Sequence, residues 1–140
     1  HKDSSKALKL LADLTKNEGP IPGIFAMRFV KQTKAILGFT KFPVTCMLEI
    51  DGVLWKKTRK IMSLTEFSRR IIEVLKQNNT PFTIHWGKAS DWAYPDLVNL
   101  MFDTAKINEW KACRSAVLSD DMLELFSNKF LKNILVVKCQ

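Results

Sequence analysis

Val44-Thr45-Cys46-Met47-Leu48-Glu49-Ile50, then Asp51-Gly52, then Val53-Leu54-Trp55-Lys56-Lys57-Thr58-Arg59 is the segment around which the rest of the chain is organised. Two β-rich runs joined by Asp-Gly predict an antiparallel hairpin over 44–59. The turn expected is type I′, because Asp and Gly tolerate the positive φ angles it requires. Alternation in the second run sets Val53, Trp55, Lys57 and Arg59 on one face. Leu54, Lys56 and Thr58 fall on the other.

Before this segment the pattern reads as helical. Ala7, Leu8, Leu10, Leu11 and Leu14 follow Ser4 and Ser5 at helical spacing, with Lys6, Lys9, Asp13 and Lys16 opposite. Gly19-Pro20-Ile21-Pro22-Gly23 then breaks the chain, so residues 1–18 read as a helix appended ahead of a hinge at 19–23. From Ile24 to Leu37 a second helix is expected. Phe25, Phe29, Val30, Ile36 and Leu37 share one side, Arg28, Lys31 and Lys34 step along the other, and Gly38 stands at its end.

Beyond it, Ser63-Leu64-Thr65-Glu66 has the form of a capping box. Leu64, Phe67, Ile71, Val74 and Leu75 give the following helix an apolar face, and Asn78-Asn79-Thr80-Pro81 ends it. Phe82 to Trp86 reads as a short strand and Gly87 to Pro95 as a loop. Pro95 suits the first turn of a helix running to about Trp110. Ser119-Asp120-Asp121 suits the start of a last helix. The apolar run Ile134 to Val137 suits a buried strand. The expected order is α-α-β-β-α-β-α-α-β, one α+β domain over 1–140. Its sheet would have about four mostly antiparallel strands with helices packed on one face.

With 140 residues, 46% hydrophobic and 26% charged, the chain is long enough for a real core and too apolar for a disordered one. No run reaches the ~20 apolar residues of a membrane span. Cys46, Cys113 and Cys139 are odd in number and widely spaced, which argues against a disulfide framework and for an intracellular compartment, cytoplasmic or nuclear. The start at His1, without an initiator Met, reads as a piece of something longer.

Charge is the strongest global signal. Residues 1–70 hold 14 Lys and Arg against six acids and so carry the whole net charge of +8. Such asymmetry points to a polyanionic partner.

No nucleotide-binding glycine loop, H-E-x-x-H or G-x-S-x-G occurs, and the sequence names no reaction. His85 on its short strand reads as structural. Glu49 and Asp51, with Lys56 and Asp96, are the only hint of a metal-dependent nuclease, and Asp51 is claimed by the expected turn. Neither a cofactor nor a metal is expected.

Trp55, Lys56, Lys57, Arg59 and Lys60 set one aromatic among four cations. Proteins that bind single-stranded nucleic acid combine phosphate-binding cations with aromatic stacking surfaces in this way. Arg28, Lys31, Lys34, Lys41, Arg69 and Arg70 would extend that surface if the fold gathers them. The first expectation is therefore a non-enzymatic module binding nucleic acid, RNA or single strands, through its basic first half. The second is a protein-interaction domain, a dimerisation or adaptor unit, using Trp92 and Tyr94 or an apolar helix face.

Overall fold

The computed structural model describes residues 2–21, 23–52 and 58–135. Among them are six helices and two strands: α1 (Lys2–Glu18), β1 (Gly23–Lys31), β2 (Val44–Gly52), α2 (Leu64–Gln77), α3 (Leu97–Met101), α4 (Thr104–Val117), α5 (Asp120–Leu125) and α6 (Lys129–Ile134). The class is α+β as expected. The four-stranded sheet is not found: the described sheet is a two-stranded antiparallel ribbon, β1 beside β2.

The main correction lies before the expected hairpin. Residues 23–31 form a strand and not the first half of a helix over 24–37. β1 pairs with β2 in a register that runs from Gly23 opposite Gly52 to Lys31 opposite Val44. Helical spacing of Phe25, Phe29 and Val30 competes there with a second period. Phe25, Met27 and Phe29 also alternate with Ala26 and Arg28, and Ile, Phe and Val suit a pleated surface better than a helix. A strand partner within reach resolves such a tie. Asp51 and Gly52 do not form a turn either. They continue β2 opposite Ile24 and Gly23, so the connection made by β2 is backward to β1. Residues 53–57, the middle of the expected second hairpin strand, lie outside the described residues. Thr58 and Arg59 are irregular.

Other elements shift for local reasons. Residues 82–86 are irregular and not a strand. The helix expected from Pro95 to Trp110 is two helices. Phe102 turns extended after α3, and Asp103 caps α4 by accepting the Lys106 N–H at 2.8 Å. Ile134 ends α6 rather than opening a strand, and 136–137 lie outside the described residues. The capping box stands as read: Ser63 Oγ accepts from Glu66 N at 3.2 Å, and Glu66 accepts from Ser63 N at 2.9 Å.

Helices therefore pack on helices rather than on one face of a broad sheet. α1 runs antiparallel along α2, tied by Lys6 to the Asn78 carbonyl and by Glu18 to Arg70. Leu11 and Leu14 are buried on α1, Phe67 and Leu75 on α2. The main core joins Ile72 of α2 to Leu97, Val98, Met101, Phe102, Ile107, Leu37 and Leu135. Trp86 crosses it, its ring stacked between Trp92 at 5.4 Å and Phe102 at 5.8 Å. Its indole N–H donates to the Leu37 carbonyl at 2.7 Å, which satisfies the one polar atom such a ring carries inward. Among the described residues, none of the buried hydrophobic side chains belongs to β1 or β2.

Candidate functional site

The expected basic surface is dispersed among different elements. Arg28 lies in mid-strand on β1 and is paired with Glu49 on β2. Lys31 ends β1, and Lys34 follows in the 32–43 connection; both are exposed and have no ion pair with a described residue. Arg59 and Lys60 are exposed beyond the other end of the ribbon. Trp55, Lys56 and Lys57 lie outside the described residues.

The arginines of α2 are spent on internal structure. Arg69 Nε donates to Asp91 Oδ2 at 2.6 Å, and Asp91 is almost wholly buried. This pair, with Ser68 Oγ accepting the Asp91 N–H at 3.0 Å, pins the 88–95 loop to α2. Arg70 bridges Glu18 of α1 and Glu73 of its own helix. The hydrogen bond from Arg70 holds the Glu18 carboxyl below the usual glutamate range, and the two carboxylates raise the guanidinium further. Lys41 donates to the Met101 carbonyl and lies over the Phe42 and Phe102 rings at 5.3 and 5.4 Å. Burial pulls its amine below the usual lysine range, against the opposing charge of Asp103.

The two aromatic candidates are also built in. Trp92 is half-buried between Trp86 and the edge of Phe130, and its indole N–H reaches the Lys88 carbonyl at 3.0 Å. Tyr94 is half-buried and lines an open cleft of about 450 Å³ with Arg69, Glu73, Lys76, Ala93 and Pro95. That cleft brings together a predicted cation, Arg69, and a predicted aromatic, Tyr94. His85 rests against Phe39 at 4.4 Å, and its Nδ1 accepts the Gly87 N–H at 3.0 Å. Among the described residues no three His, Cys, Asp or Glu side chains group to hold a metal. The Glu49 carboxylate of the nuclease expectation is taken by Arg28.

A different surface emerges from the register. Residues directly opposite in an antiparallel pair share a face. Phe25 opposes Ile50, Met27 opposes Leu48, Phe29 opposes Cys46, and Lys31 opposes Val44. Seven of these eight side chains are apolar, and the eighth is the lysine at the strand end. Met27 is 50% exposed and Val44 62%. The other face is mixed, with Ala26 opposite Glu49, Arg28 opposite Met47 and Val30 opposite Thr45. At its Gly23 end the apolar face borders a cleft of about 270 Å³ lined by Thr15, Lys16, Pro20, Ile21, Gly23 and Phe25. Met27 and Val44 were absent from the residues singled out by sequence, although the alternation in 23–31 and 44–50 carries the signal. It becomes legible only once the two runs are known to pair.

Among the described residues no helix is long and apolar enough to cross a membrane. Comparison of the chain with protein-family models, with curated proteins and with solved structures gives no match.

Proposed function

We propose that the chain is a protein-interaction module whose docking surface is the apolar face of the β1–β2 ribbon. The observation that carries this reading is the cross-strand set Phe25–Ile50, Met27–Leu48 and Phe29–Cys46. It leaves Met27 and Val44 open to water and supplies no residue to the buried core. A two-stranded ribbon is marginal in water without a third element on its apolar side. Contiguous exposed apolar surface of this kind marks interaction sites.

Charge selects the partner. Lys31 lies on the face itself, Lys34 follows it and Lys16 borders the cleft at the opposite end. The complementary occupant is a protein segment with an apolar ridge flanked by carboxylates. The cations then steer and orient, while the apolar contacts hold.

The test is a titration with a synthetic acidic amphipathic peptide, Leu and Phe on one side and Glu on the other, read by anisotropy. Saturable binding that falls at least tenfold in Met27→Glu, with an unchanged thermal melt, is the expected result. Equal binding by Met27→Glu, or none by the parent, overturns the reading. A single-stranded oligonucleotide run in parallel gives the other outcome: tight binding with a steep salt slope transfers the function to nucleic acid.

A further inference from the structure

The segment that the ribbon calls for is present in the chain itself. α5 and its flanks read Val117-Leu118-Ser119-Asp120-Asp121-Met122-Leu123-Glu124-Leu125-Phe126-Ser127, with three carboxylates and no cation. Met122, Leu125 and Phe126 are spaced i, i+3, i+4, which places them on one side of the helix. All three are exposed, Leu125 at 73%, and so is Val117 at the end of α4. Asp120, Asp121 and Glu124 beside them are exposed too.

This ridge is held rigidly from behind. Leu123 turns the other way, and its carbonyl accepts from Arg114 Nη2 of α4 at 3.0 Å and from Ser127 Oγ. Arg114 Nη2 also donates to Ser127 Oγ at 2.8 Å, and its guanidinium lies 5.9 Å from the Trp110 ring centre. The internal charge of Arg114 is thus turned to the α4–α5 junction and does not cancel the acids outside. A preformed ridge loses little freedom on docking.

We infer that α5 of one copy docks on the β1–β2 ribbon of a second copy, a head-to-tail contact between an acidic apolar ridge and a basic apolar face. Geometry agrees. Side chains two apart on a strand are separated by about 7 Å, close to the ~5–6 Å between i and i+4 side chains of a helix. One helical turn therefore fits between successive apolar side chains of the ribbon. Because the two surfaces differ, the contact is heterologous: the dimer keeps a free ribbon on one copy and a free ridge on the other, and association continues beyond the dimer. A six-residue helix on one ribbon face buries less than the ~1,200 Å² of a standard interface, so the association is weak and visible only at high concentration. This inference rests on the ribbon reading above and adds the identity of the occupant.

Sedimentation velocity over a wide concentration range tests it, with the parent, Met27→Glu (ribbon) and Leu125→Lys (ridge). Both replaced side chains are half-exposed or more, and thermal melts establish that each variant folds. The parent is expected to rise above its 16.1 kDa monomer mass with concentration, less so at high salt. Each variant alone is expected to stay monomeric. Their equimolar mixture is expected to associate and to stop at the dimer, because Met27→Glu retains a ridge and Leu125→Lys a ribbon. A parent that stays monomeric throughout, or a variant that associates as the parent does, overturns the inference. A monomeric parent that still binds the acidic peptide overturns this inference alone and leaves the ribbon reading standing. A parent that does neither ends both.

Discussion

The same truncation at two methionines separates surface from core. Met101 is fully buried. Its Sδ accepts the Ile84 N–H at 3.1 Å, and it sits among Leu97, Val98 and Phe102 in the main cluster. Met101→Ala removes the apolar contacts, leaves a cavity and strips Ile84 of its acceptor. Core Met→Ala costs about 2–5 kcal/mol, and the lost acceptor moves this case to the upper half. Met27 is 50% exposed on the ribbon. Full burial of such a side chain is worth roughly 1.5–3 kcal/mol, so a half-exposed one that leaves no enclosed cavity gives up about 1 kcal/mol or less. At about 2–4 °C per kcal/mol for a chain of this size, Met101→Ala should lower Tm by roughly 8–16 °C and Met27→Ala by less than ~4 °C. Urea and thermal unfolding followed by circular dichroism read both. If Met27→Ala costs as much as Met101→Ala, the ribbon face is packed interior and the reasoning that makes it a docking surface fails.

Three further outcomes follow from local geometry. Gly19 holds φ +117°, and a Cβ there would lie 2.7 Å from the Lys60 carbonyl oxygen, so Gly19→Ala should cost about 2 kcal/mol or more, read as a lowered urea midpoint. Ser63→Ala removes the N-cap of α2 and should cost about 1 kcal/mol in the same assay, while Thr65→Ala, exposed two residues further on, changes little. The Arg70 hydrogen bond lowers the folded-state pKa of Glu18, so the stability of that pair is present above the ordinary glutamate pKa and is lost as pH falls through the lower folded value. Unfolding midpoints between pH 6 and pH 3 should fall less steeply in Glu18→Gln than in the parent.

Where the chain states its structure locally, the sequence was readable. Ser63 and Glu66 announce the α2 start because a capping box is satisfied within four residues, and Asn78-Asn79 ends it, Asn79 taking φ 49°. The break at Gly19 is legible for the same reason. β1 was not, since Ile24 to Lys31 carries two periods at once and only its pairing with β2 selects one. Asp51-Gly52 has turn chemistry but lies inside a strand, because the β1 register extends to it. The pairing of the cations was hidden for a related reason. Net charge is a sum over the sequence, whereas Arg28, Arg69 and Arg70 meet Glu49, Asp91 and Glu18 only in the folded chain. Asp91 lies 22 residues from Arg69, and Glu18 lies 52 from Arg70. No spacing rule reaches that far.

The most direct test of the ribbon as docking surface is a backbone amide map recorded by NMR while the acidic amphipathic peptide is added. The account predicts progressive shifts confined to 23–31 and 44–52, with Lys34 at their margin and the Ile72–Met101–Ile107 core unmoved. The same shifts should be lost in Met27→Glu. Shifts that gather instead around the Arg69–Tyr94 cleft, or a ribbon that stays still at saturation, contradict it.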